Sequence, residues 1–291
     1  MLITRREDRL VLVEQTAHAR MAGELVAHWG NDTFAAPAPR DAVIAAAAKH
    51  DDGWADADAV PLFNDEEARP LHFLEIPMRE HIPLYARGVN STFEDDPYAG
   101  MLVSMHWTGL YRGRWGMQEG RLDWGEDGRS EIELLQDEAV AGEEQRWIEV
   151  KRQLMREARR SDLEAGLWQN YDLLQAWDLL SLFICLIPLE PADGVAARPV
   201  PSTLKSLDQE PGERTIESVP TRIGGERVDL TLRCGEPGVV AVDPYPFDED
   251  GLTFSVTGTA IPDRRYEDAV DARAAIDAGD PVRIDCRMTR P

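Results

Sequence analysis

Cysteine and long apolar runs are both scarce in this sequence of 291 residues. Three scattered cysteines do not make a disulfide framework, which favours a protein with reduced thiols. The longest apolar run, Leu179–Leu189, contains Pro188 and is shorter than the roughly 20 residues of a membrane-spanning helix. The first ten residues lack the apolar segment of a secretory signal. We therefore expect a cytoplasmic protein without membrane contact.

Lysine is nearly absent, because it supplies only three of the 31 basic residues, and 54 acidic residues bring the net charge to −23. A surface this acidic repels nucleic acid, so we expect a small-molecule partner instead. Two interpretations of the charge stay open: it keeps the protein soluble at high salt, as in halophilic proteins, or it forms an acidic binding face. A bound metal ion would still admit an anionic substrate, because the ion reverses the local field. The sequence also leaves open whether identical chains form a homo-oligomer.

The stretch Asp41–Trp54 combines an alanine-rich run with a cluster of ionisable side chains. Alanine favours a helix, and Gly53 is a typical stop just past a helix end. The pair His50-Asp51 therefore lies at the end of a helix that we expect to be buried. Burying such a charge is costly unless it is paired or bound to a metal ion.

A second buried acid is expected at Asp178, which lies inside the apolar run LLQAWDLLSLFICLIP. Three further histidines lie on or beside predicted helices. Imidazole and carboxylate ligands without a thiol suit iron or manganese, with zinc, nickel and magnesium as alternatives. The candidate metal ligands are His18, His50, Asp51, His81, His106 and Asp178. Six ligands are more than one ion needs, so we expect two divalent ions bridged by Asp51.

The order His … His-Asp … His … His … Asp resembles that of the HD-domain metalloproteins in their two-metal form. The resemblance spans about residues 15–187, where QTAHARMAGELVAHWG, KHDDGW, LVSMHWTGLY and LLQAWDLLSL also resemble an uncharacterised prokaryotic domain-of-unknown-function family related to HD proteins. It implies a four-ligand core of His18, His50, Asp51 and Asp178, with His81 and His106 as the extra pair. It also implies a phosphohydrolase or phosphodiesterase acting on nucleotides or phosphate esters, or, as in a smaller branch, a di-iron oxygenase.

The expected fold class is mainly α, with an HD-like helical bundle over residues 1–190 and a β-rich C-terminal lobe over residues 191–291. The short N-terminal β-hairpin, residues 1–14, is too small to stand alone, so we expect it to pair with the C-terminal sheet. Alternating apolar residues predict C-terminal strands at Val228–Leu232, Val239–Val242, Leu252–Val256 and Val282–Cys286.

Further residues are candidates through their position beside the predicted ligands. Asp51 and Asp52 are the catalytic candidates, although Asp52 could instead orient a ligand or simply end the helix. The candidates for substrate binding are Gln15, Arg20, Trp54, Arg79 and Gln175. For the two glutamines, packing between helices is the equally open alternative, and for Trp54 a place in the core is the more usual one. The two arginines would bind an anionic substrate.

These observations predict a metal-dependent hydrolase that uses metal-activated water, with a small phosphate ester or nucleotide as substrate. A di-iron oxygenase of a small anionic substrate is the alternative, and it is favoured by Asp52-Gly53-Trp54, where many HD phosphohydrolases carry a basic residue. A third alternative is a binding or regulatory protein that keeps the metal for stability only.

Overall fold

An eight-stranded β-sheet is the largest element of the fold. The computed structural model describes residues 1–6, 8–112, 129–186, 198–199 and 213–291. The strands of the sheet are β1 Leu2–Arg6, β2 Arg9–Val13, β5 Arg198–Pro199, β6 Glu213–Pro220, β7 Arg227–Glu236, β8 Val239–Asp243, β9 Leu252–Pro262 and β10 Asp280–Thr289. Their order across the sheet is β5-β1-β2-β9-β10-β8-β7-β6. Neighbouring strands are antiparallel except β8 and β10, which run parallel. A separate two-stranded sheet consists of β3 Phe63–Asn64 and β4 Arg69–Pro70.

Helices make up most of the chain before the C-terminal strands. They are α1 Gln15–Ala27, α2 Arg40–Lys49, α3 Ala55–Ala59, α4 Met78–Asp95, α5 Pro97–Tyr111, α6 Arg129–Leu154, α7 Arg160–Leu186 and α8 Ala269–Asp277. Two short 3-10 turns lie at Asp52–Trp54 and Phe73–Glu75. Within the described part of the chain, no helix is long and apolar enough to cross a membrane.

The prediction of a mainly α, HD-like helical bundle is wrong, because the chain is a mixed α/β protein with a large sheet. The predicted strands cover only part of β7, β9 and β10, and β9 alone has 11 residues. The strand β6 was not predicted, since it follows a stretch rich in proline, glycine and polar residues; its buried positions nevertheless include Arg214, Ile216 and Val219. The N-terminal hairpin extends this sheet, with Leu12 of β2 opposite Thr259 of β9.

Helices and sheet share one hydrophobic cluster, which joins residues from both sides of position 190. Trp29, just after α1, packs edge-to-face on Trp177 of α7 at 5.6 Å and on Phe247, which precedes β9, at 5.8 Å between ring centroids. The sheet thus braces α1 and α7, two helices that carry predicted ligands. The division into domains 1–190 and 191–291 stays a prediction.

Two close backbone approaches place the end of α2 beside its neighbours. A Cβ atom at Gly23 of α1 would lie 2.7 Å from the Cβ of Ala48, so the small residues bring α1 onto α2. A Cβ atom at Gly88 of α4 would lie 2.6 Å from the backbone N of Gly53. The turn that carries Asp51 is therefore in backbone contact with α4.

Replacing Gly88 by alanine should destabilise the protein by about 1–3 kcal/mol, because the atom in the way is backbone and cannot rotate aside. Urea unfolding followed by circular dichroism measures this change. Gly142→Ala in α6 is the matched control, since a Cβ there meets nothing within 4 Å. This control should gain about 0.5–1 kcal/mol from helix propensity. An unchanged midpoint for Gly88→Ala would contradict the close contact.

Candidate metal centre

Five helical segments converge on one buried cluster that contains all six predicted ligands. His18 comes from α1, His81 from α4, His106 from α5 and Asp178 from α7, while His50 and Asp51 follow directly after α2. Each of the six residues is at most 3% exposed. Asp51 leaves the helical conformation, with φ −115° and ψ 18°, so its side chain diverges from that of His50.

The helix α4 begins at Met78, so His81 lies inside its first turn. Pro83 is the sixth residue of this helix, where it removes one intrahelical backbone hydrogen bond.

Hydrogen bonds around His18 determine which of its nitrogens carries the proton. Ser181 donates its hydroxyl proton to the carbonyl of Asp178 at 2.8 Å, so it must accept a hydrogen bond from His18 Nδ1 at 2.9 Å. In a neutral imidazole the other nitrogen, Nε2, then has a lone pair. This atom faces Asp51 Oδ2 at 2.9 Å. Two acceptors at this distance repel one another unless a cation lies between them.

His50 is held in a similar way, with one ring nitrogen in a hydrogen bond and the other facing the second carboxylate, Asp178. Its Nδ1 donates to the carbonyl oxygen of Ala47 at 2.8 Å, because a carbonyl can only accept. Its Nε2 lies 3.3 Å from Asp178 Oδ1 and 3.7 Å from Asp51 Oδ2. Nδ1 of His106 is buried and has no hydrogen-bond partner. The cluster thus places buried imidazole nitrogens beside two carboxylates, a donor set that could bind a cation.

The pKa values follow from this crowding. Burial by itself would lower the pKa of His50, but Asp51 and Asp178 raise it to about 9. Burial would raise the pKa of both carboxyl groups, but His50 lowers both, so the two stay ionised. Burial lowers the pKa of His81 to about 3 and that of His106 to about 4, so both are neutral near pH 7. In the metal-free protein the proton on His50 takes the place of the cation.

The spacing of the ligand atoms suits a metal ion. Bonds of about 2.1 Å at tetrahedral or octahedral angles put adjacent ligand atoms about 3.0–3.5 Å apart. The His18–Asp51 and His50–Asp178 separations, 2.9 and 3.3 Å, are close to this range. Among the described residues, two groups have ligand atoms that all lie within 4.8 Å of one another: His18, His50 and Asp51, and His50, His106 and Asp178. These buried groups could hold a metal ion.

A cavity of about 30 Å³ adjoins the cluster. The residues that line it are Gln15, His18, Asp51, Phe73, Leu74, His81, Tyr85, His106, Leu110, Asp178 and Leu182. The amide of Gln15 donates to Asp51 Oδ2 at 3.2 Å, which places this predicted substrate-binding residue at the cluster. The lining is therefore part carboxylate and imidazole, part apolar.

The other predicted site residues lie away from this cavity. Trp54 is buried edge-on to Tyr85, and Gln175 donates to the carbonyl oxygen of Tyr171 inside the helical core. Arg79 is exposed and paired with Glu131. Two residues remain, Arg20 and Asp52. Arg20 lines a separate groove of about 560 Å³ between α1 and β9. Asp52 is half-buried and outside the lining, and burial raises its pKa, with Lys49 acting in the opposite direction.

Sequence reasoning missed Ser181 and Tyr85, which hold the cluster in place together with Tyr111. Ser181 lies one helical turn after Asp178, and Tyr85 lies one turn after His81. Tyr111 accepts or donates a hydrogen bond at His81 Nδ1, 2.7 Å away. The spacing i, i+3 or i, i+4 puts two residues on one helix face, so this signal could have identified Ser181 and Tyr85. No comparable signal links Tyr111 to His81.

Comparison with known proteins gives one result. A family model described as "Protein of unknown function (DUF3891)" matches residues 1–263, which include every residue of the cluster. No curated protein and no solved structure matches the chain.

Purified protein should contain a transition-metal ion that Asp178→Asn loses, because asparagine offers a neutral oxygen where the cluster needs a charge. Inductively coupled plasma mass spectrometry measures this content. Asp162→Asn is the control, since Asp162 is an exposed carboxylate on the same helix. Asp52→Asn should also keep its metal. An equal metal content per chain in Asp178→Asn and Asp162→Asn would contradict the assignment of Asp178 as a metal ligand.

Removing the hydroxyl of Ser181 should weaken metal binding by about 10–100-fold, since outer partners orient histidine ligands. Competition with a fluorescent chelator measures the affinity of Ser181→Ala. Ser104→Ala is the matched control: this equally buried serine donates to Glu143 at 2.7 Å, outside the cluster. The same loss in both variants would show a general packing effect instead.

Proposed function

We propose that this chain, which belongs to the DUF3891 family of proteins of unknown function, is a metal-dependent hydrolase of a small substrate. The observation that carries the proposal is the pair of buried imidazole–carboxylate contacts, His18–Asp51 and His50–Asp178, whose separations of 2.9 and 3.3 Å suit ligands of one ion. The order of the ligands along the chain, which resembles that of HD-domain metalloproteins, gives independent support for hydrolysis.

Side chains of this protein orient the Asp51 carboxylate, which would bind the ion. A bound divalent ion would act as a Lewis acid and lower the pKa of water, which is the chemistry hydrolysis requires. Tyr85 donates to Asp51 Oδ1 at 2.6 Å and Gln15 donates to Oδ2, so this carboxylate is fixed from both sides. Asp52 does not line the cavity, so we assign proton transfer during the reaction to the residues that do line it.

Charge in the cavity favours a substrate with little negative charge of its own. The two ionised carboxylates, Asp51 and Asp178, balance a single divalent ion. None of the described lining residues is arginine or lysine, and Arg20 and Arg79 lie elsewhere. The histidines His81 and His106 are neutral and offer hydrogen bonds without charge. A phosphodiester, with one negative charge, therefore fits better than a phosphomonoester with two.

The size of the cavity restricts what part of the substrate reaches the centre. Its volume of about 30 Å³ has room for about two water molecules, each of which needs about 10–15 Å³ of such space. Apolar side chains, among them Phe73, Leu110 and Leu182, make up the rest of its wall. The substrate would therefore place only its reacting group beside the ligands.

An oxygenase is the second candidate, and it is favoured by the apolar part of the cavity wall together with the lack of arginine and lysine among the described lining residues. Its di-iron form requires two ions in the cluster. The number of bound ions therefore separates it from a hydrolase that works with one.

Protein reconstituted with Mn²⁺ or Zn²⁺ should hydrolyse bis-p-nitrophenyl phosphate faster than p-nitrophenyl phosphate. The Asp178→Asn variant should lose about 100-fold or more in kcat/KM, because the ion contributes several kcal/mol to the transition state. Asp162→Asn should retain full activity.

Three outcomes would redirect the assignment. Oxygen uptake by the ferrous protein, with no ester turnover, would support the second candidate. Faster turnover of the monoester would contradict the charge argument for the substrate. Bound metal that raises the unfolding temperature without any turnover would leave a binding or regulatory protein.

A further inference from the structure

The number of metal ions that the cluster can hold depends on which ligand atoms lie close enough together to bind the same ion. Two ligands of one ion with bonds of about 2.1 Å lie at most about 4.2 Å apart, on opposite sides of the ion. Both groups of convergent ligand atoms found among the described residues contain His50, and neither contains His81. His106 converges with His50 and Asp178, not with His81 and Asp51. The second ion of a two-metal arrangement would need His81, His106 and Asp51 together.

His50 joins the two groups into one. Its Nδ1 is engaged by the carbonyl of Ala47, which leaves Nε2 as its only ligating atom. One nitrogen lone pair binds one ion. The two groups are therefore two halves of a single centre, with ligands on α1, α5, α7 and the turn after α2.

Asp51 would have to bridge two ions, and both of its oxygens already accept hydrogen bonds. Oδ1 accepts one of 2.6 Å from the hydroxyl of Tyr85, and Oδ2 accepts one of 3.2 Å from the amide of Gln15. Of the two oxygens, Oδ2 is the one that faces a candidate ligand, His18 Nε2, at 2.9 Å. A carboxylate oxygen can only accept a hydrogen bond, so the phenol of Tyr85 is the donor in this contact.

The ring of Tyr85 is held in position by its neighbours. It stacks on Trp107 with an interplanar angle of 8°, and its centroid lies 4.6 Å from that of His81. Trp54 packs on it edge-on at 6.2 Å. Because the ring is enclosed on several sides, its hydroxyl cannot swing away from Asp51 without repacking these side chains.

We propose that the centre holds one metal ion, and that Tyr85 is the positioning residue that holds Oδ1 of Asp51 and so directs Oδ2 towards that ion. This inference rests on the proposed metal-dependent function. It specifies how many metal ions that function requires. His81, held through Nδ1 by Tyr111, forms part of the cavity wall and is not a ligand. Tyr111 in turn accepts a hydrogen bond from Trp107 Nε1 at 2.8 Å, which fixes this wall.

Titration of the metal-free protein with Mn²⁺ and Zn²⁺, followed by native mass spectrometry and by electron paramagnetic resonance of bound Mn²⁺, tests the proposal. The wild type should take up one ion per chain, with the signal of an isolated Mn²⁺ ion. His81→Ala should also bind one ion, with an unchanged dissociation constant. His81→Gln, which retains a hydrogen-bonding side chain of similar size, replaces it if the alanine variant does not fold.

The Tyr85→Phe variant should still bind one ion, but about 10–100-fold more weakly, since Asp51 is no longer held from its second oxygen. Tyr98→Phe is the matched control, because Tyr98 is a buried tyrosine whose hydroxyl bonds Asn170 instead. It should leave metal affinity unchanged. A lower unfolding temperature of metal-free Tyr85→Phe, with unchanged affinity, would show a purely structural role and overturn the positioning assignment.

Two results separate failure of this inference from failure of the proposed function. Two ions in the wild type, or a spin-coupled Mn²⁺ pair, with one ion lost in His81→Ala, would overturn the single-ion centre and leave a metal-dependent enzyme. No bound ion in the wild type at saturating metal would refute the metal-dependent function itself.

Discussion

The centre of this protein depends on the contact of two imidazole rings with two buried carboxylates. The ring nitrogens face the carboxylate oxygens at 2.9 and 3.3 Å, and a hydrogen bond holds the far side of each ring. Inside a protein such an arrangement costs free energy unless a proton or a metal ion lies between the partners. A proton on His50 serves in its contact with Asp178, and a divalent ion at this place would balance both carboxylates.

The rest of the fold can be understood as the support of these contacts. Small residues bring α1 onto α2, and the backbone contact between Gly53 and Gly88 brings α4 beside the turn that carries Asp51. The sheet adds a platform behind α1 and α7 through Trp29 and Phe247. Rigid helices, packed on a sheet that includes both ends of the described chain, hold the ligands more closely than loops would.

Chemistry at the cavity is restricted by what its wall lacks as well as by what it contains. The described wall offers two carboxylates, the neutral His81 and His106, one phenol and apolar side chains, but no arginine or lysine. A metal ion would therefore supply the positive charge at the reacting group. This favours a small substrate of low charge, although the protein as a whole carries a net charge of −23.

The sequence by itself determined the members of the cluster. His50-Asp51 after an alanine-rich helix and Asp178 within an apolar one were identifiable because buried charge is costly without a partner. The mainly α fold predicted from the same residues was wrong, since strand pairing links positions as distant as Leu12 and Thr259, and local periodicity does not encode such pairs. Only the tertiary structure decided that Tyr85 engages Asp51, that His81 lies outside both convergent groups, and that Arg20 and Arg79 lie away from the cavity. Those relations depend on how helices pack against each other, which the order of residues along one helix does not specify.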